Sequence, residues 1–111
     1  GTYYFLATRF IANKVALDFE YKVENKKEVI ENRINNIDGI MNCACIYDTE
    51  NSKIVLFYQG NIDEVEILNK AKEKLTNYMV PNKVVKLDKL PYNANGKIDR
   101  KLLQNMNKEN N

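Results

Sequence analysis

The sequence of 111 residues contains no histidine. This absence excludes catalytic triads that use histidine and metal sites with histidine ligands. Cysteine is scarce as well, and the two thiols, Cys43 and Cys45, stand close together in "IMNCACIYD". Such neighbours share one face of a strand, and their spacing is not that of a redox or zinc pair. We therefore predict two reduced core cysteines and a reducing, cytoplasmic location.

Long apolar runs are missing too, since none approaches the ~18 residues that a membrane-spanning helix needs. The opening "GTYYFLATRF" has no basic segment ahead of a long apolar block, so no secretory signal is predicted. The net charge of +2 is too small to favour a nucleic acid or a membrane as partner. Basic residues nevertheless dominate the stretch 83–101, which suits an anionic partner or simply a solvated surface.

The patterns that are present indicate one small mixed domain. Apolar residues make up 44% of the chain and charged residues 29%, and this length fits a single modest core. Strand-like patterns occur at Thr2–Ala7, Lys14–Val23, Ile40–Asp48, Lys53–Gln59 and Lys83–Asp88. Helical spacing follows Asn25 and Asn61, and a short helix is predicted over Asp99–Met106. The expected fold is α/β (α+β), with about three strands in a sheet packed by helices, plus a short N-terminal strand pair.

Local signals give these elements their expected caps and faces. Capping-box patterns pair Asn25 with Glu28 and Asn61 with Glu64. The apolar faces predicted to pack on the sheet are Ile30, Ile34 and Ile37 in the first helix, and Val65, Leu68, Ala71, Leu75 and Tyr78 in the second. One strand face is expected to hold Met41, Cys43, Cys45 and Tyr47. The following strand is apolar on both faces, so we predict a covered, central strand in an antiparallel hairpin with its predecessor.

The stretch "LPYNANGKIDRKLL", from Leu90 to Leu103, carries the chemistry that the sequence offers. Asn95 and Gly96 both tolerate positive φ, so they predict a turn that presents Lys97 at its tip. A lysine ammonium is a compact charge suited to phosphate or carboxylate oxygens. The stretch is not a GxxxxGK[ST] phosphate loop, because Pro91 and Ile98 stand where that pattern needs Gly and Ser or Thr. Physical reasoning alone leaves a solvated turn lysine as the commoner alternative.

This stretch closely resembles the last core motif of adenylate-forming enzymes, roughly Leu-Pro-x-Thr-x-Asn-Gly-Lys-Ile/Val-Asp-Arg. Those enzymes include nonribosomal-peptide adenylation domains, D-alanine–carrier protein ligases and acyl-CoA synthetases. The sequence departs from the motif at Asn93, where threonine is usual, and matches it at Leu90, Pro91, Asn95, Gly96, Lys97, Ile98, Asp99 and Arg100. The segments "NYMVP", "GIMNCACIY" and "EYKVENKKEVIENRI" also resemble the family, so the resemblance covers about residues 1–103.

The resemblance implies that residues 1–111 are the small C-terminal domain of a two-domain enzyme. The large N-terminal domain would be its partner, holding most of the ATP site and the Mg²⁺. Such an enzyme joins a carboxylate to AMP and then passes the acyl group to the thiol of carrier-protein phosphopantetheine or CoA. Lys97 would be catalytic, and Asn95, Gly96 and Lys97 would contact the nucleotide. No metal ligand is predicted here, and the isolated chain is expected to be monomeric and without adenylation activity.

The N-terminal segment weakens the resemblance at one place. "GTYYFLATR" is similar to the strand that leads into the family's Gly-Arg-x-Asp hinge, with Arg9 as the hinge arginine. Ile11 stands where the hinge aspartate is expected. The alternative hypothesis is therefore a non-catalytic, degenerate or free-standing domain that binds a carrier protein or another partner. A nucleic-acid-binding module is a third hypothesis, which no recognised motif supports.

Overall fold

The computed structural model describes residues 24–109. The predicted N-terminal strand pair and Arg9 lie outside the described residues. Among those described, residues 24–34 are helical and are named α1. The later elements are β1 (Ile40–Asp48), β2 (Lys53–Gly60), α2 (Glu64–Lys74), a 3₁₀ turn (Asn77–Met79), β3 (Lys83–Lys86) and α3 (Arg100–Glu109). These bounds confirm the order of strands and helices predicted for this part of the chain.

The three strands form one mixed sheet in the order β1-β2-β3. β1 and β2 form the predicted antiparallel hairpin, in which Cys45 lies opposite Leu56. β3 runs parallel to β2, with Val55 opposite Lys83. A parallel neighbour needs a crossover connection, and α2 supplies it. β2 is therefore the central strand, as its apolar residues on both faces predict.

Helices cover both faces of the sheet. On one face, α1 and α2 contribute Ile30, Ile34, Ile67 and Ala71 to a first core that also contains Cys43, Cys45, Leu56 and Tyr58. On the other face, α3 and the segment before it contribute Leu90 and Leu103 to a second core with Ala44, Ile46, Val55 and Phe57. Adjacent residues of a strand point to opposite faces, so β1 and β2 each supply both cores.

Two predicted helix caps are wrong. Residue 24 is already helical, so Asn25 lies within α1 and does not cap it. For α2, the cap is Asp63 and not Asn61, because the side chain of Asp63 accepts a hydrogen bond from the backbone N–H of Glu66 at 2.7 Å. An oxygen at this position satisfies a backbone donor that the first turn leaves unpaired.

Two predicted apolar faces are only partly right. Met41 is 73% exposed, because the register of β1 against β2 shifts between Ile40 and Asn42. Such a bulge re-aims the side chains around it. In α2, the buried residues are Ile67 and Ala71, and the helix is rotated so that Val65 is 71% exposed. The buried face predicted from Ile30, Ile34 and Ile37 is confirmed, since all three are buried, although Ile37 lies in the turn after α1.

Candidate active-site loop

The segment between β3 and α3 forms a short closed loop, residues 91–99, which we call the lysine loop. Its two sides meet in an isolated antiparallel bridge between Tyr92 and Ile98. The N–H of Asn93 donates to the carbonyl of Lys97 at 2.8 Å, and the N–H of Asp99 donates to the carbonyl of Pro91 at 2.9 Å. These bonds hold both ends of the loop together, so the tip is presented on a defined stem.

Asn93 and Gly96 fix the conformation of the tip. The side-chain oxygen of Asn93 accepts from the N–H of Asn95 at 2.9 Å and from the N–H of Lys97 at 3.1 Å. The N–H of Gly96 donates to the carbonyl of Asn93 at 3.0 Å. Gly96 has φ +77°, which confirms the predicted positive-φ turn. The position that departs from the family motif is thus the one whose side chain organises the loop.

Lys97 lies exposed at this tip. Within the described part of the chain, no hydrogen bond or ion pair engages its ammonium. An open hollow beside it is lined by Asn42, Tyr92, Asn93, Gly96, Lys97, Ile98 and Arg100. The side-chain amide of Asn42 donates to the hydroxyl of Tyr92 at 3.2 Å across one wall. The hollow therefore joins a free cation to polar groups, an arrangement suited to an anion.

Arg100, the last residue of the motif, is anchored away from the loop tip. Its guanidinium donates to both carboxylate oxygens of Glu31, at 2.6 Å and 3.0 Å. It also donates to the carbonyl of Cys45 at 2.9 Å, while the N–H of Cys45 donates to Glu31 at 2.7 Å. The hydrogen bond with Glu31 is the chief cause that raises the pKa of Arg100. Sequence analysis missed Glu31, since no local signal links it to a residue 69 positions away.

The two cysteines are free and buried, as predicted. Burial raises the pKa of Cys43 to about 12, and the negative charge of Glu31 adds to the effect. Burial likewise raises the pKa of Cys45. A thiol protonated at neutral pH is a poor nucleophile and metal ligand, so these residues serve the first core.

Residues 24–109 contain no group of three or more acidic or cysteine side chains that could hold a metal ion. The same part of the chain has no helix that is both long and apolar enough to cross a membrane.

Comparison with known proteins connects this loop to a family. The AMP-binding enzyme C-terminal domain family matches residues 29–97, a range that runs from α1 to the loop lysine. The chain is 35% identical over 95 residues to zwittermicin A synthase ZmaJ of Bacillus cereus, covering 78% of this chain and 18% of that protein. It is 33% identical over 107 residues to a D-alanine–D-alanyl carrier protein ligase of Listeria welshimeri, covering 83% of this chain and 21% of the ligase.

Solved structures show the same fold. A holo four-domain nonribosomal peptide synthetase bound to AMP and glycine matches with a TM-score of 0.60 at 33% identity, covering 68% of this chain and 6% of that one. Apo MatB from Rhodopseudomonas palustris has a TM-score of 0.68 at 24% identity, over 75% of this chain and 18% of that one. The chain spans about a fifth of the curated relatives that it matches. It belongs to the AMP-binding enzyme C-terminal domain family.

Proposed function

We propose that this chain is the C-terminal catalytic lid of an ATP-dependent carboxylate–AMP ligase. The observation that carries the proposal is Lys97, an exposed cation at the tip of a loop whose backbone is fixed by Asn93 and Gly96. Fixing the loop before substrates arrive removes the cost of ordering it during the reaction. A large N-terminal domain completes the site and supplies the acyl pocket, most ATP contacts and the Mg²⁺.

In the first step, an oxygen of the substrate carboxylate attacks the α-phosphorus of ATP. A bond forms between that oxygen and phosphorus, the bond to the bridging oxygen breaks, and pyrophosphate leaves with its electron pair. The two reacting groups are both anions. The ammonium of Lys97 offsets their repulsion and stabilises the charge that develops on the phosphate oxygens.

The loop restricts which of its groups can contact the nucleotide. The backbone N–H groups of Asn95, Gly96 and Lys97 are all engaged within the loop. Contacts to ATP therefore come from the side chains of Asn95 and Lys97, and Gly96 contributes the turn that places them. This division of roles narrows the prediction that Asn95, Gly96 and Lys97 all contact the nucleotide, because it gives Gly96 a role in positioning only.

In the second step, a thiol attacks the acyl carbon of the adenylate, a thioester forms, and AMP leaves. Two acceptors are compatible with the relatives. A D-alanyl carrier protein ligase and a holo nonribosomal peptide synthetase favour phosphopantetheine on a carrier protein. A 2-succinylbenzoate–CoA ligase of Lactococcus lactis, 36% identical over 78 residues, favours CoA. We propose the phosphopantetheine thiol or CoA as the acceptor class.

A second candidate function is a non-catalytic domain that binds a carrier protein or another partner. The observation that favours it is Ile11, which stands where the family hinge has aspartate. The resemblance implies that the domain rotates about this hinge between the two steps, so a domain that cannot rotate would serve only one of them. The two candidates make different predictions for Lys97, because only the catalytic lid needs the charge of this residue for adenylate formation.

The test is Lys97→Ala in the complete ligase that carries this chain, with the two half-reactions assayed separately. Loss of one preorganised charge contact costs on the order of 3 kcal/mol, so adenylate formation should fall about a hundredfold. Transfer from a supplied adenylate to the thiol should remain nearly unchanged, since the loop acts only on the first step. Lys97→Arg should restore little activity, because a planar guanidinium does not replace a compact ammonium.

The matched control is Lys101→Ala, which removes another exposed cation from the first turn of α3. It should leave both half-reactions intact. Equal loss in both half-reactions for Lys97→Ala would assign that residue to folding or to a domain interface. An unchanged rate of adenylate formation would instead favour the partner-binding function.

A further inference from the structure

We propose that Glu31 is a positioning residue for Lys97, acting through Arg100. This inference rests on the proposed function of Lys97 and extends it to α1, an element remote from the loop in sequence. Glu31 itself does not reach the hollow beside Lys97. Its role is to fix the point at which the lysine loop leaves the body of the domain.

The geometry is that of a three-way clamp. The carboxylate of Glu31, with a side chain only 16% exposed, receives two donors from Arg100 and one from the N–H of Cys45. The guanidinium of Arg100 also donates a hydrogen bond to the carbonyl of Cys45. One ion pair thus joins α1, the edge of β1 and the first turn of α3. Bidentate pairs of this kind fix orientation as well as distance.

The clamp is close to the loop in the chain. Only Ile98 and Asp99 separate Arg100 from Lys97, and Ile98 packs on the second core. Arg100 has a side chain that is 46% exposed, so burial alone does not hold it. The clamp therefore acts on the loop's second side together with the bridge between Tyr92 and Ile98 and the hydrogen bond from Asp99 to Pro91.

The clamp also sets the charge of the hollow. Lys97 and Arg100 both line it, but the charge of Arg100 is compensated by Glu31 at 2.6 Å. Among the described residues that line the hollow, Lys97 is the cation without a carboxylate partner. An arriving anion is therefore drawn to the loop tip and not to its base, a consequence of where the carboxylate sits.

A double-mutant cycle in the complete ligase tests the proposal. Glu31→Gln keeps the shape but turns one carboxylate oxygen into an amide that faces the donors of Arg100. Misplacing a catalytic group by about 1 Å can cost up to a hundredfold in rate, so we expect kcat for adenylate formation to fall about tenfold or more. The KM for ATP should change little. In the Lys97→Ala background, the same substitution should lower kcat by less than about twofold, because the residue it positions is gone.

A second variant and a control guard against a mere loss of folding. Arg100→Lys keeps the charge but cannot bridge both oxygens of Glu31 and the carbonyl of Cys45, and it should show the same dependence on Lys97. Glu66→Gln is the matched control, since it removes a carboxylate from an exposed ion pair of 3.7 Å with Lys70 on α2. It should leave kcat unchanged in both backgrounds.

The outcomes separate the two proposals. If Glu31→Gln and Arg100→Lys lower kcat equally with and without Lys97, or not at all, the positioning role is overturned. If Lys97→Ala itself leaves adenylate formation intact, the proposed function is overturned. A loss that requires Lys97 supports both proposals.

Discussion

At the scale of single residues, Gly96 shows how the loop depends on backbone conformation. Its φ is +77°, and a Cβ built on it would meet no atom within 4 Å. Gly96→Val should therefore lower the free energy of unfolding by roughly 1 kcal/mol or more through backbone strain alone. Denaturant unfolding measures this loss, and the half-reaction assay should show a larger effect on adenylate formation than on acyl transfer.

The control for this prediction is Gly96→Asn. Asparagine tolerates the left-handed region far better than a β-branched residue, so its cost should be clearly smaller. If valine and asparagine destabilise equally, the cause is not the dihedral angle. The Asn95-Gly96 pair is the part of the site that local sequence predicts best, because a turn depends on a few neighbouring residues.

The role of the Asn93 side chain could not be predicted from the sequence. The family motif led us to expect threonine at this position, and asparagine looked like a departure. In the structure, its oxygen accepts from two loop amides, a known property of asparagine in turns. The signal was present in "NANG". Only the structure shows that the side chain bends back to the loop and does not point to solvent.

At the scale of elements, the start of α2 offers a direct comparison of a predicted cap with the observed one. Asp63→Ala should lower the free energy of unfolding by about 1 kcal/mol, because the N–H of Glu66 loses its acceptor. Asn61→Ala, at the predicted cap, is the matched control and should cost much less. Thermal or denaturant unfolding measures both. A larger cost at Asn61 would show that the cap has been misplaced.

The sequence could not choose between these two caps. Asn61 and Asp63 each precede a glutamate by three residues, so the local signals are equivalent. Tertiary contact decides: Ile62 is buried in the first core, and its carbonyl accepts from the hydroxyl of Tyr58 at 2.8 Å. That contact ties the chain to β2 just before the helix begins. The shift in register between β1 and β2 likewise exposes Met41.

The side-chain contacts along the edge strand β1 could not be predicted from the apolar pattern of the strand. Strand existence, bounds and hairpin pairing were all predictable from apolar runs and a polar turn. The groups that cover its outer edge were not. Glu31 and Arg100 bond the backbone of Cys45, and Gln104 donates to the carbonyl of Tyr47 at 3.2 Å. Side chains from α1 and α3 thereby occupy an edge at which another strand could add.

At the scale of the whole molecule, the buried thiols and Tyr58 should make the protein less stable at alkaline pH. Cys43 has an ordinary pKa of 9.0, which folding raises to about 12, and burial also raises the pKa of Tyr58, from 10.0 to about 12. Above pH 9 the unfolded chain releases protons that the folded chain retains. The contribution of these groups to the free energy of unfolding should therefore be fully present below pH 9 and should fall as pH rises toward 12.

Denaturant unfolding at a series of pH values measures the slope of the free energy of unfolding against pH. Cys43→Ala should reduce the slope by up to about 1.4 kcal/mol per pH unit, because one titrating group is removed. Ile34→Val is the control: it lowers stability in the same core at every pH without changing the slope. An unchanged slope in Cys43→Ala would mean that the thiol ionises equally in both states.

The clamp between Glu31 and Arg100 has a consequence for exchanging parts between related ligases. The lysine loop closes on its own bonds, so residues 91–99 form a portable unit. Arg100 is different, because its partners lie 69 and 55 residues earlier in the chain. A hybrid whose junction falls anywhere between α1 and α3 takes the two halves of the clamp from different parents. Such a hybrid keeps the motif in its sequence, but Arg100 keeps its partner only where the other parent supplies a carboxylate at the position of Glu31. A junction upstream of Glu31 removes that requirement.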